Sequence, residues 1–290
     1  MPSKFSITDY YTTSLKLGIA CLFSREFRLE GIKRIANPLS FPRPEEFRLA
    51  LHDLAPQVDA GRVLDVGSPK LPLVVLARTR PELDLYSCDI LESFLKPTQQ
   101  FLETQGLGER LDKTIHLSVE DARRLSFPDE YFDWIYSISV LEHIADEGED
   151  GRSKGDTGAI RDIARVLRPG GSITLTVPFK AEGYREEFLD GTVYEREAPR
   201  GSKSFYQRYY DRAALMERLI EPSTLICEAL VFFGEPGRIK VEPFWNRIPM
   251  KVKAPLLPFQ GLIGNVLFRT LPDSEWQKAS GVALRLKKPV

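Results

Sequence analysis

The stretch Arg62-Val63-Leu64-Asp65-Val66-Gly67-Ser68-Pro69 is a short apolar run closed by a turn, the pattern of a strand buried on both faces of a sheet. A helix is expected directly after it. Ser68 is a fitting N-cap, Pro69 suits the first turn, and the apolar residues through Ala77 supply a packing face before Pro81 stops the helix. Working outward, Leu83 to Asp89 reads as a second strand, Leu91 to Gln105 as a helix ended by Gly106, Thr114 to Val119 as a third strand and Phe132 to Ser139 as a fourth. Ile160, Ile163, Ala164 and Leu167 fall at i, i+3, i+4 and i+7 on one helix face, and Pro169-Gly170-Gly171 separates them from a strand over Ser172 to Val177. A helix from Asp211 to Ile220 and strands from Thr224 to Phe233 and Gly281 to Leu286 complete the series. The alternation implies right-handed crossovers and an α/β, doubly wound, mainly parallel seven-stranded sheet with helices on both faces.

Ligands of such sheets sit beyond the carboxyl ends of the strands. Those ends carry Asp65 to Ser68, Asp89, Asp121 and Ser137 to His143. Asp89 lies 22 residues after Gly67, the spacing at which a nucleotide fold sets a carboxylate on ribose hydroxyls. A dinucleotide enzyme also needs a three-glycine turn to cradle pyrophosphate, and only Gly67 of the three is present. A nucleoside ligand without phosphates suits the acidic strand ends better.

These residues resemble the class I S-adenosylmethionine-dependent methyltransferases, and within them the methyltransferase type 11 group that includes quinone-biosynthesis C-methyltransferases. The likeness covers residues 61 to 178. Val63 to Gly67 is similar to the family's first motif, Asp89 to its second-strand acid and Glu120-Asp121-Ala122 to its adenine-contact motif. The strongest match runs from Leu125 to Asp133 and on through Val140-Leu141-Glu142-His143-Ile144, followed by Arg165 to Gly171. The resemblance implies a Rossmann-like methyltransferase fold with S-adenosylmethionine as cofactor. It further implies that Gly67 and Ser68 leave room for the methionine part, that Asp65 positions this loop and the cofactor's amino group, and that Asp89, next to Ile90, accepts from both ribose hydroxyls. Asp121 and Ala122 would contact the adenine, and Ser137 would lie near the methionine end. The chain departs from the pattern at Pro69 and Leu71, which stand where the family has its second and third loop glycines; this bears on the loop's shape and its grip on the cofactor.

A sulfonium methyl is already electrophilic, so the protein mainly has to align an acceptor and, where needed, remove a proton. His143 is the candidate general base, since an imidazole titrates near neutrality; the alternative is a positioning role. Asp133, near the start of its strand, reads as structural. Tyr184, Tyr194, Tyr206, Tyr209 and Tyr210 lie in or beside the connection after the fifth strand, where one or two of them are expected to line an acceptor pocket.

The chain has 290 residues, 42% of them hydrophobic and 28% charged, which excludes a disordered or fibrous protein. Its net charge of -1 divides unevenly: residues 61–236 hold 22 basic and 31 acidic groups, whereas residues 237–290 hold 10 and 3. Three scattered cysteines and three scattered histidines give neither a disulfide framework nor a metal site. With no secretory signal pattern and no apolar stretch long enough to span a bilayer, a cytoplasmic protein is expected. The organisation expected is an N-terminal helical extension over 1–60, a methyltransferase core over 61–236 and 280–290, and an inserted basic and apolar lid over 237–279. Phe259, Leu262, Ile263, Val266, Leu267 and Leu271 form an apolar stripe near Arg247, Lys251, Lys253, Phe244 and Trp245, so residues 244–271 either touch a membrane surface or cover the sheet and complete a pocket. Specificity is expected from 1–60, 180–207 and 234–279, for a small or lipid-like acceptor and with no nucleic acid. The rival readings are methylation of protein or nucleic acid, and a non-catalytic scaffold at a membrane.

Overall fold

A computed structural model of the chain describes residues 6–146, 155–191, 193–194, 203–237 and 240–290. Four strands run parallel: β1 (Gly61–Val66), β2 (Leu83–Asp89), β3 (Ile115–Val119) and β4 (Phe132–Ile138). β5 (Leu167–Pro178) joins them parallel to β4. A separate antiparallel hairpin follows, β6 (Arg185–Asp190) with β7 (Lys203–Tyr209). β8 (Ile226–Gly234), the two-residue β9 (Arg269–Thr270) and β10 (Gly281–Lys287) then close one edge antiparallel, giving the order β3-β2-β1-β4-β5-β10-β8-β9.

Among the described residues the main sheet therefore has eight strands rather than the expected seven. The eighth is β9, too short to show any periodicity. β5 also begins earlier than the Pro169-Gly170-Gly171 turn suggests. Leu167 already pairs with Phe132, and a register shift between Phe132 and Trp134 absorbs the extra residues.

The chain winds outward from β1 through β2 to β3 and then returns to place β4 on the other side of β1. That reversal opens a crevice at the ends of β1 and β4, where doubly wound sheets hold ligands. Both faces of the sheet are covered. On one, α1 (Ile7–Leu22) and α4 (Leu71–Thr79) meet Trp134 and Tyr136. On the other, α6 (Gly155–Val166) and the helical segment 212–223 pack Ile160, Ile163, Leu215 and Leu219 against Ile135 and Leu175. Between them in sequence lie α2 (Arg28–Ala36), α3 (Arg43–Arg48) and α5 (Glu92–Thr104).

Residues of the late segment meet the N-terminal extension in a third cluster, Phe41, Leu49, Phe233, Trp245 and Phe268. The helix Gln260–Leu267 lies so close to it that a Cβ on Gly264 would stand 2.2 Å from the Phe41 carbonyl oxygen. The segment is thus packed on residues 39–41 and adds β9 to the sheet edge.

Candidate active site

At the crevice, Gly67 follows β1 with φ +67°, a left-handed conformation that glycine adopts without strain. Ser68 does not cap a helix as expected. α4 starts only at Leu71, and the Ser68 hydroxyl instead accepts from the Ile138 backbone N–H at 2.9 Å while its own N–H donates to Asp65 at 3.1 Å. Ser68 thereby stitches the end of β1 to the end of β4. Pro69 at this tight crossing leaves no backbone N–H to satisfy.

Beyond these strand ends lies a cavity of about 530 Å³, within the range of small-molecule sites. It brings together Gly67, Ser68, Asp89, Ile90, Asp121, Ala122 and His143 from the sequence reading. Two residues of that reading stand apart. Asp65 is fully buried below the cavity, its oxygens occupied by Ser68 N–H, the Ser87 hydroxyl at 2.7 Å and Lys70. It fixes the loop, but its side chain does not reach the cavity wall. Ser137 likewise turns inward, donating to the Val66 carbonyl at 3.1 Å. Ser139, with φ +55°, lines the cavity in its place.

Asp89 presents a nearly buried carboxylate with Oδ1 accepting from Leu91 N–H at 3.1 Å and Oδ2 3.3 Å from Lys70 Nζ. Burial pushes its carboxyl above the usual carboxylate range, and Lys70 opposes the rise. Asp121 is held by Arg123 through the guanidinium and through the Arg123 backbone N–H at 2.9 Å. Ile90, half exposed, and Ala122 give the wall apolar surface.

His143 sits at the other end. Its Nδ1 lies 2.8 Å from the Tyr206 carbonyl oxygen, which can only accept, so Nδ1 carries the proton and Nε2 is the accepting nitrogen. Tyr194 packs edge-on against the imidazole and lines the cavity, and Tyr206 stacks on Tyr194. The other tyrosines serve the framework: Tyr210 donates to Asp156, Tyr184 to Glu186 and Tyr209 to Glu187. Residues 192 and 195–202 of the expected specificity segment lie outside the described residues. Beside His143, Glu142 is fully buried and accepts from Ser139 at 2.6 Å; burial pushes its carboxyl up to about 8. Asp133 has the structural role read for it, accepting from Arg62 N–H and pairing with Arg168, both at 2.7 Å.

Sequence reasoning missed several charged wall residues. Lys70 looks like a turn residue until Asp89 is brought to it. Arg34 and Arg43 look like surface cations, yet they line the cavity with Glu30. Among the described residues no group of side chains is arranged to hold a metal ion.

The methyltransferase domain family model matches residues 64–175, the stretch that builds β1 to β5 and the cavity floor. Methyltransferase GfsG from Streptomyces halstedii is 29% identical over 120 residues, 41% of this chain and 38% of that protein. The ubiquinone/menaquinone biosynthesis C-methyltransferase UbiE from Bordetella avium is 29% identical over 114 residues, 39% of each chain. The matched stretch thus spans under two-fifths of these relatives. In fold, the chain is similar to the [4+2]-cyclase SpnF, with a TM-score of 0.53, 18% identity and 87% and 84% of the two chains covered. It is also similar to a geranyl diphosphate methyltransferase in complex with S-adenosylmethionine, with a TM-score of 0.51, 10% identity and 84% of each chain covered. Residues 64–175 thus match a methyltransferase domain, and the chain has the Rossmann-like fold of these structures.

Proposed function

We propose that the protein is an S-adenosylmethionine-dependent methyltransferase whose acceptor is a lipid-like metabolite. The observation that supports this best is a single cavity joining the strand-end set Gly67, Asp89, Asp121 and Ala122 to His143 and Tyr194, with α2 as a wall. S-adenosylmethionine, when bound, supplies an electrophilic methyl group. The chain's own part is to hold and align. Asp89 accepts from ribose hydroxyls, a charge-assisted pairing. Asp121, shared with Arg123, accepts from the adenine amino group, Ile90 and Ala122 pack on the ring, and Gly67, where a Cβ would stand 2.6 Å from the Val140 side chain, turns the loop. Asp65 acts one layer below, through Ser68. At the far end His143 Nε2 accepts a proton from the acceptor, its ring fixed by Tyr206 and Tyr194.

The lipid-like acceptor is inferred from what walls the cavity. α2 contributes Glu30 and Arg34 to the wall, yet its outer positions Leu29 and Ile32 are exposed, as is Phe23 at 84%. The turn 254–259 packs on α2, and Tyr11 donates to the Pro258 carbonyl at 2.7 Å. Here too Val252, Phe259 and Val266 are exposed. Exposed Arg25, Arg28, Lys33 and Lys251 accompany these apolar residues, against exposed Glu26. Apolar side chains among cations suit an anionic lipid surface, which would present an acceptor directly to the α2 wall. Among the described residues no helix is long and apolar enough to cross a membrane, so the contact is peripheral.

Incubation with methyl-labelled S-adenosylmethionine and a total lipid extract should place label in the organic phase. Label confined to the protein or aqueous fraction would contradict a lipid-like acceptor. The protein should co-sediment with phosphatidylglycerol vesicles, and Phe23→Glu with Phe259→Glu should lower the bound fraction at least fivefold. Equal binding by the double variant would mean that this face does not meet the vesicle surface.

A further inference from the structure

Lys70 is a lysine that is only 4% exposed. Its ammonium lies 3.2 Å from Asp65 Oδ2, 3.3 Å from Asp89 Oδ2 and 3.2 Å from the Cys88 carbonyl oxygen, which matches its three N–H donors to three acceptors. The two carboxylates come from neighbouring parallel strands, and the lysine comes from the loop between β1 and α4. A buried ammonium alone would lose its proton. Here the two aspartates outweigh burial and hold the lysine above its ordinary value. Lys70 also lines the cavity together with Asp89, Gly67 and Pro69, so its charge belongs to the ligand's surroundings. It stands in the loop between Pro69 and Leu71, the two residues that replace glycines in the motif.

We propose that Lys70 is a resident counter-ion of the cofactor pocket, which positions Asp65 and Asp89 in a loop short of glycines and sets the pocket's preference between the cationic cofactor and its neutral product. This rests on reading the cavity as the cofactor site. S-adenosylmethionine carries an ammonium, a carboxylate and a sulfonium, for a net +1; S-adenosylhomocysteine carries only the first two. A pocket with two aspartates and no buried cation attracts the extra charge. With Lys70 present, one of the two negative charges is compensated, and the attraction that separates cofactor from product falls. The enzyme is consequently expected to be held back by its own product more than a pocket with uncompensated acids would be.

The test is the ratio of two dissociation constants, for the cofactor and for the product, measured by calorimetry on the full chain at pH 8. A purely structural loss moves both constants together, whereas a charge effect moves their ratio. The wild type should bind S-adenosylmethionine no more than about threefold more tightly than S-adenosylhomocysteine, and Lys70→Met should shift the ratio at least threefold toward S-adenosylmethionine. Lys70→Thr and Lys70→Gln, which keep a donor beside Asp65 without the charge, should shift it the same way. A ratio shifted less than threefold in any folded variant would overturn the proposal, and so would a wild-type preference for S-adenosylmethionine above tenfold, which needs no variant to measure. If the wild type binds neither compound, the reading of the cavity itself fails, a result distinct from the lysine's.

Discussion

Arg208→Met is expected to lower the thermal midpoint by roughly 10 °C, from a loss of about 3–5 kcal/mol for breaking a buried ion pair. Arg208 is fully buried on β7. Its guanidinium donates to Asp146 and to the Ile144 carbonyl, both at 2.5 Å, and to Tyr184 at 3.2 Å, with Glu186 at 3.3 Å. Asp146 and the fully buried Asp156 also share Arg218, which reaches Asp156 through two bonds of 2.7 and 2.8 Å, while Tyr210 donates to Asp156 at 2.7 Å. The network ties the β6–β7 hairpin to the first turn of α6 and to the loop after β4. Methionine matches the volume of the arginine stem but leaves the Asp146 carboxylate and the Ile144 carbonyl short of their donor. Arg218 remains bonded to both aspartates, which keeps the loss at the lower end. Ile144 and Ala145 line the cavity, so ligand binding should weaken along with stability. Thermal unfolding followed by circular dichroism measures this directly, and a midpoint within 2 °C of the wild type would show that the pair carries little of the fold.

Asp89→Ala should weaken S-adenosylhomocysteine binding at least tenfold, which corresponds to about 1.4 kcal/mol or more. Hydrogen bonds to a charged group are worth about 1.5–3 kcal/mol each, and Asp89 is the acid we propose for the ribose hydroxyls. The substitution also removes one of the two carboxylates around Lys70. Asp65 still holds the lysine, so the fold should survive. Asp89→Asn keeps the shape and one acceptor oxygen, and should fall between alanine and the wild type. Affinities measured by calorimetry test the order; wild-type affinity in the alanine variant would remove Asp89 from the site.

Much of the fold was legible because its strands are buried on both faces. The run Val63 to Val66 and its counterparts at β2, β4 and β10 are apolar for that reason, and Gly67 and Gly106 mark the turns that end an element. The β6–β7 hairpin has no such signature. Arg185 lies over Tyr209, Glu186 meets Tyr184 and Arg208, and Glu187 meets Gln207 and Tyr209, so nothing in their order sets a period. β9 is two residues long and exists only because β8 offers an edge. The site was legible in the acids at strand ends and in His143, since their spacing follows from the winding of the sheet. Depth was not legible. Asp65 and Ser137 lie at strand ends like Asp89, but Ser68, Ser87 and Lys70 take up the Asp65 carboxylate and Ser137 bonds to the Val66 carbonyl, both below the cavity wall. Lys70 gains its meaning from Asp89, 19 residues further on, and Arg34 and Arg43 enter the cavity wall only because the N-terminal extension folds back over β1 and β4.

Calorimetric titration of the wild-type chain with S-adenosylhomocysteine decides whether this cavity binds the methyl donor. Saturable binding with one site per chain is expected, lost or weakened at least tenfold in Asp89→Ala; a flat titration of the folded wild type would mean that the cavity is not a cofactor site.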